Sequence, residues 1–163
     1  MSTLVDGDGE VEFCDNFSTK ACYDALVGPM EVCIYSKFLW KNDIPSKVSF
    51  MLWADLNNSL PTRDMLRHKS VEIDSSLCMM CNTVDESADH LFLHCQTTFK
   101  VWDHLIKAFH ISWSIPGSIL ELFEASRNNV LTGRYKELWN IIHYALDWII
   151  WDERNKRVFG GRN

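Results

Sequence analysis

The chain has 163 residues, of which 47% are hydrophobic, with seven Trp and nine Phe, so it has the length and the apolar surface for one domain with a genuine core. Its formal charge of -6 excludes a global positive field that would draw it onto a phosphate backbone, so any nucleic-acid contact needs a local patch. No apolar run reaches the ~18 uncharged residues of a membrane span, because the richest segment, Ile141 to Trp151, carries His143 and Asp147; no membrane partner is expected.

In chain order, Asp6, Asp8, Glu10, Glu12 and Asp15 with Gly7 and Gly9 read as a solvated leader over residues 1–16. No basic segment followed by an apolar one marks a secretory signal, so an intracellular, reducing setting is expected. There the six cysteines serve as metal ligands or buried thiols rather than disulfides. Phe17 to Leu26 predicts a short helix, ended by Gly28-Pro29. Ser36 to Lys41 leads into an Asn42-Asp43 turn, and Pro45 opens a helix from Ser46 to Leu56 that is apolar nearly all round and should be buried on most sides. Asn57-Asn58 stops it, and Thr62 caps a shorter helix with Asp64 in its first turn.

Beyond the cysteine-rich centre, Thr97 or Thr98 is expected to cap a helix with Val101, Trp102, Leu105, Ile106 and Phe109 inward. Pro116-Gly117 breaks the chain, and Ser118 to Ala125 fits one or two helical turns. Tyr135, Leu138, Ile141, Ile142, Ala145 and Ile149 then predict a long amphipathic helix that can run on through Arg157. Strand signals are weak, with alternation only at Val71 to Ile73. The expected fold is mainly α, a small single domain of several helices around the cysteine-rich loop, with little or no β.

One constellation carries chemistry. Zinc takes four thiolate or imidazole donors at tetrahedral corners, and two cysteines separated by two residues reach one ion from a tight turn. Cys78 and Cys81 have that spacing, and with His90 and Cys95 they form C-x2-C-x8-H-x4-C, in a stretch where Ser87 or Asp89 can cap a turn. Four such donors with no open position describe a closed structural site for one Zn²⁺. Competing readings are a redox pair at Cys78 and Cys81, or buried free thiols. His94 competes for the fourth position, since on a helix it would share a face with His90 while Cys95 is rotated by a further ~100°. Cys14, Cys22 and Cys33 have no paired spacing, and His68, His104, His110 and His143 fit ordinary helical patterns.

At these residues the sequence resembles the zinc-binding domain that follows reverse transcriptase in plant LINE-type (non-LTR) retrotransposon polyproteins. The likeness extends over Phe38 to Lys41, Ile44 to Trp53, Leu60 to Thr62 with Leu66, the cluster Cys78 to Cys95 with Glu86 and His90 to Phe92, and Trp102. Phe17 to Lys20 and Trp151 to Phe159 resemble the segments that flank it. The resemblance implies Cys78, Cys81, His90 and Cys95 as ligands, and a place beside reverse transcriptase and ribonuclease H domains that are absent from this chain. It also suggests a nuclear location. The implied organisation is a domain over 17–159, with a zinc core at about 36–110, a helical part at about 117–159 and a tail over 160–163.

Two functions are expected to compete. One is a non-catalytic accessory domain that binds single-stranded RNA or DNA weakly, using Arg154, Lys156, Arg157 and Arg162. The other is a structural or protein-interaction module, which exposed Trp148 or Trp151 would favour. No nucleophile–base set, phosphate loop or open metal site points to an enzyme.

Overall fold

The structure is a computed structural model that describes residues 39–41, 43–112, 114–128 and 130–160. The chain divides into Met1–Ser36 and Lys37–Asn163, and every described residue belongs to the second unit. The expected leader, the helix from Phe17 to Leu26, and Cys14, Cys22 and Cys33 lie outside the described residues.

The architecture is mainly helical. In order come α1 (Ser46–Leu56), α2 (Arg63–His68), one π-helical turn (His90–His94), α3 (Gln96–Ala108), α4 (Ile119–Arg127) and α5 (Gly133–Phe159). Among the described residues there is no strand, and an isolated antiparallel bridge joins Leu77 to Asp85.

Helix α1 has its expected limits, with Asn57 closing it and Asn58 following in the left-handed region at φ 49°, a conformation asparagine tolerates. It is not buried on most sides. Val48, Ser49, Met51 and Leu52 face the core, while Phe50 and Trp53 stand 59% and 42% exposed. Helix α2 is capped differently from expectation, because the Thr62 hydroxyl turns to the Asp64 carboxylate. The free N–H groups of Arg63 and Asp64 go instead to the side chain and the carbonyl of Glu86, at 3.2 and 3.1 Å.

Helix α3 starts at Gln96, ahead of the expected caps, and Thr98 and Trp102 form its buried face. The Trp102 indole donates to the Phe92 carbonyl at 2.8 Å and the Thr98 hydroxyl to that of Leu91, also at 2.8 Å. These bonds fix α3 against the π-turn, whose Leu91, Phe92 and Leu93 are fully buried. Leu105, Ile106 and Phe109 are half-buried, whereas Val101 faces solvent. Ser118 caps α4 by accepting from the Glu121 N–H, while the Glu121 carboxylate accepts from the Gly117 N–H at 2.8 Å, a reciprocal arrangement close to a capping box.

The long helix forms as expected but is longer at both ends, starting at Gly133, a residue whose type suggests a loop, and ending at Phe159, and its phase is reversed. Tyr135, Leu138, Ile141, Ala145 and Ile149 point outward, and the buried face is Trp139, His143, Tyr144, Leu146, Asp147, Ile150, Trp151 and Arg154. Three of those buried residues are polar, and two have partners that make their burial tolerable. Arg154 places Nε and Nη2 on one oxygen of Glu86, at 3.0 and 2.6 Å. His143 has Nδ1 3.0 Å from the Trp139 carbonyl, and burial holds its pKa down at about 4, so it is neutral.

Asp147 is the exception, fully buried with neither carboxyl oxygen hydrogen-bonded. Burial, with the charge of Asp55 on α1 adding to it, pushes the Asp147 carboxyl well above the usual range; Asp55 itself is pushed up to about 7, again chiefly by burial.

Both polar features generate expectations. Glu86→Gln or Arg154→Met alone should cost about 3–5 kcal/mol in urea unfolding, by stranding one buried charge, and the double variant should recover much of that loss. For Asp147 the folded pKa lies above the unfolded value, so its cost is absent below about pH 3.8 and grows as pH rises towards the folded pKa. Asp147→Asn should therefore match the parent near pH 4 and exceed it by at least ~1 kcal/mol at pH 8, a gap that unfolding titrations at the two pH values would measure.

Candidate metal centre

The segment from Ser76 to Glu86 is a hairpin-like loop. The Cys78 N–H donates to the Val84 carbonyl and the Glu86 N–H to that of Ser76, both at 2.8 Å. The tip turns at Asn82, which takes φ 56° and returns its own N–H to the Cys78 carbonyl at 2.8 Å. This tight turn puts the Cys78 and Cys81 sulfurs on the same side. The Met79 N–H is held by the second oxygen of Glu86 at 3.3 Å, and the Met80 carbonyl by the Thr97 hydroxyl at 3.2 Å. Arg157 of α5 reaches the carbonyls of Met79 and Met80, 3.4 Å to each.

The other two donors come from the π-turn. Ser87 starts it by accepting from the His90 N–H at 3.1 Å. The Cys95 N–H then donates to the His90 carbonyl at 2.6 Å, the five-residue bond that defines this wider turn. An α-helical turn would bring His94 under His90; the extra residue brings Cys95 there instead. At Cys95 the chain swings to an extended ψ of 133°, which aims the thiol inward and starts α3. His94 stays exposed, with Nε2 3.2 Å from the Gly117 carbonyl.

The donor atoms of Cys78, Cys81, His90 and Cys95 accordingly lie within 4.8 Å of one another. The Cys78 and Cys95 sulfurs are 4.0 Å apart, and Cys81 Sγ is 3.4 Å from His90 Nε2. A tetrahedral zinc site, with Zn–S near ~2.3 Å and Zn–N near ~2.0 Å, separates its donors by roughly 3.5–3.8 Å. The four residues fit such an ion in number, chemistry and spacing.

The two loop cysteines differ electrostatically. Burial pushes the Cys78 thiol up to about 12, and the neighbouring Cys95 and Cys81 add to that against the backbone N–H groups of Cys81 and Met80. For Cys81 burial also acts upward, but hydrogen bonds from the Thr83 hydroxyl and N–H, the His90 ring and the Val84 N–H outweigh it, leaving about 6. Cys81 is thus a ready thiolate, whereas Cys78 ionises at neutral pH only beside a cation.

The basic residues do not form one patch. Arg154 is 3% exposed and spent on Glu86, so it is withdrawn as a nucleic-acid contact. Lys156 and Arg157 are exposed, each paired with the acid four residues earlier, Asp152 at 2.8 Å and Glu153 at 2.9 Å. Arg162 lies outside the described residues. Trp151 is buried and Trp148 half-buried, while Trp40, Phe50 and Trp53 form an exposed aromatic group at α1, and Phe99, Tyr135 and Phe159 are exposed elsewhere. Spacing rules missed the bracing role of Glu86, although Glu86 belongs to the sequence pattern quoted above.

Metal content and thermal unfolding of two variants would test the fourth donor. Cys95→Ser is expected to lose the metal and at least the central fold, and His94→Ala to keep both.

A family profile described as zinc-binding in reverse transcriptase matches residues 17–102, just over half of the chain, and spans all four donors. Over 148 residues the chain is 23% identical to an Arabidopsis thaliana protein that carries the provisional name of a ribonuclease H protein. That match takes in 88% of this chain and 24% of the relative, so the chain spans about a quarter of the relative's length. No solved structure matches the chain. With just over half of its length matched and the metal donors inside the matched region, the chain belongs to the family of zinc-binding domains of reverse transcriptases.

Proposed function

We propose that this chain is a non-catalytic accessory domain, held by one structural zinc ion, that handles single-stranded RNA or DNA as part of a retroelement-derived protein. The observation that carries this reading is the closed set of four donors, Cys78, Cys81, His90 and Cys95. Three thiolates and an imidazole suit zinc, and four protein donors leave no place for a reacting water. The ion would supply the charge that keeps the thiolates ionised and, by binding the folded chain alone, on the order of 10 kcal/mol of apparent stability.

Nucleic-acid handling is supported by the outer face of α1. Trp40 and Phe50 meet edge to face with ring centroids 5.1 Å apart, and Trp53 lies one turn beyond Phe50. Near them in the chain, the Lys41 ammonium sits over Tyr144 of α5 at 5.3 Å and that of Lys47 over Trp148 of α5 at 4.3 Å. Exposed rings stack bases for about 1–3 kcal/mol each, and neighbouring lysines meet phosphates. Lys156, Arg157 and Arg162 offer further phosphate contacts, since exposed ion pairs such as those with Asp152 and Glu153 are weak and exchangeable. The relative's name supports a ribonuclease H segment, and the matched family a reverse transcriptase, as neighbours in a longer protein; a plant LINE-type origin and a nuclear setting are part of the same proposal.

Fluorescence anisotropy of the zinc-loaded full chain with single-stranded RNA and DNA tests this. Binding is expected to be weak and to fall steeply between about 50 and about 200 mM salt. Loss of zinc to a chelator should abolish it together with the helical signal. Absence of binding at the lower salt would refute the nucleic-acid role while leaving the zinc-held fold intact.

A further inference from the structure

The reversed phase of α5 leaves an apolar stripe in solvent. Leu138, Ile141 and Ile149 are 52%, 44% and 61% exposed, with Ala145 exposed between them and Trp148 half-buried at the edge. Aliphatic residues at this density on one helix face mark a surface that another surface covers. Its spacing says more. Arg134, Leu138, Ile141, Ala145, Trp148 and Asp152 follow one another by four, three, four, three and four residues, the 3.5-residue repeat of a helix-pairing seam. From Arg134 to Asp152 the seam is about 27 Å long.

We propose that this stripe is a self-association surface, on which two copies of the chain pair their α5 helices antiparallel about a two-fold axis level with position 143. The seam is self-complementary in that orientation. Arg134 meets the partner's Asp152 at both ends, Leu138 meets the partner's Trp148, and Ile141 meets the partner's Ala145, a large residue against a small one. A two-fold contact requires such reciprocity, each residue meeting the residue that meets it. Parallel pairing would set Arg134 against the partner's Arg134 and Asp152 against the partner's Asp152, two like-charge contacts. Asp152 is free to re-pair, because its bond to Lys156 is a half-exposed surface pair. At its Trp148 edge the seam borders α1, because the Lys47 ammonium lies 4.3 Å over the Trp148 ring, while Leu138, Ile141 and Ala145 form its aliphatic centre. The inference goes beyond the nucleic-acid reading and does not depend on it.

Sedimentation equilibrium of the zinc-loaded full chain tests it. The weight-average mass is expected to rise from 19.0 kDa towards twice that value with concentration. Ile141→Lys, at an exposed position that leaves the fold intact by circular dichroism, should weaken association at least tenfold. Arg134→Asp and Asp152→Arg should each weaken it, and the two together in one chain should restore it, because antiparallel pairing again brings opposite charges together. A chain that stays monomeric at all concentrations overturns the proposal. So does a dimer indifferent to Ile141→Lys, or one that the double charge exchange fails to restore.

Discussion

The carboxylate of Glu86 is where the metal loop, the second helix and the longest helix meet. One oxygen takes two bonds from Arg154 and one from the start of α2, and the other takes the Met79 N–H inside the cysteine turn. Side chains 68 residues apart in sequence are thereby joined in a dry interior. An ion pair so deeply buried adds little net stability over an apolar pair of the same shape, but losing one half strands a charge. Its consequence is conformational: the shape of the cysteine loop is tied to the docking of α5 through one carboxylate.

The metal centre extends the same linkage. Cys78 and Cys81 come from the loop that Glu86 braces, and His90 and Cys95 from the π-turn that packs Leu91, Phe92 and Leu93 into the core. A cation at the four donors would therefore join the loop directly to the core, and the rest of the fold gains order from it. Arg157 follows the same logic. A residue with the composition of a phosphate contact spends part of its bonding on the carbonyls of Met79 and Met80, where a basic group at the end of α5 can brace the loop.

Two of the outward faces among the described residues differ in chemistry: Trp40, Phe50 and Trp53 give the α1 face its aromatic rings, whereas Leu138, Ile141, Ala145 and Ile149 give the middle of α5 an aliphatic stripe.

The sequence by itself determined the limits of α1, the existence of α5, the scarcity of β structure and the candidate donors at CxxC and His90, because helix breakers, apolar periodicity and ligand spacing act over a few residues. It left Cys95 and His94 in competition. In the packed chain a π-turn, with Leu91, Phe92 and Leu93 all buried, brings Cys95 rather than His94 within 4.8 Å of the other three donors. The tertiary structure also decided the phase of α5. Periodicity identifies the apolar stripe of a helix but not what lies against it, and here Glu86 and the Ser126–Trp139 region supply partners that let Arg154 and His143 go inside. The stripe of Leu138, Ile141 and Ile149 was legible as a face to be covered; that the domain's own core does not cover it is a property of the packed chain, where the buried polar partners outweigh the local pattern.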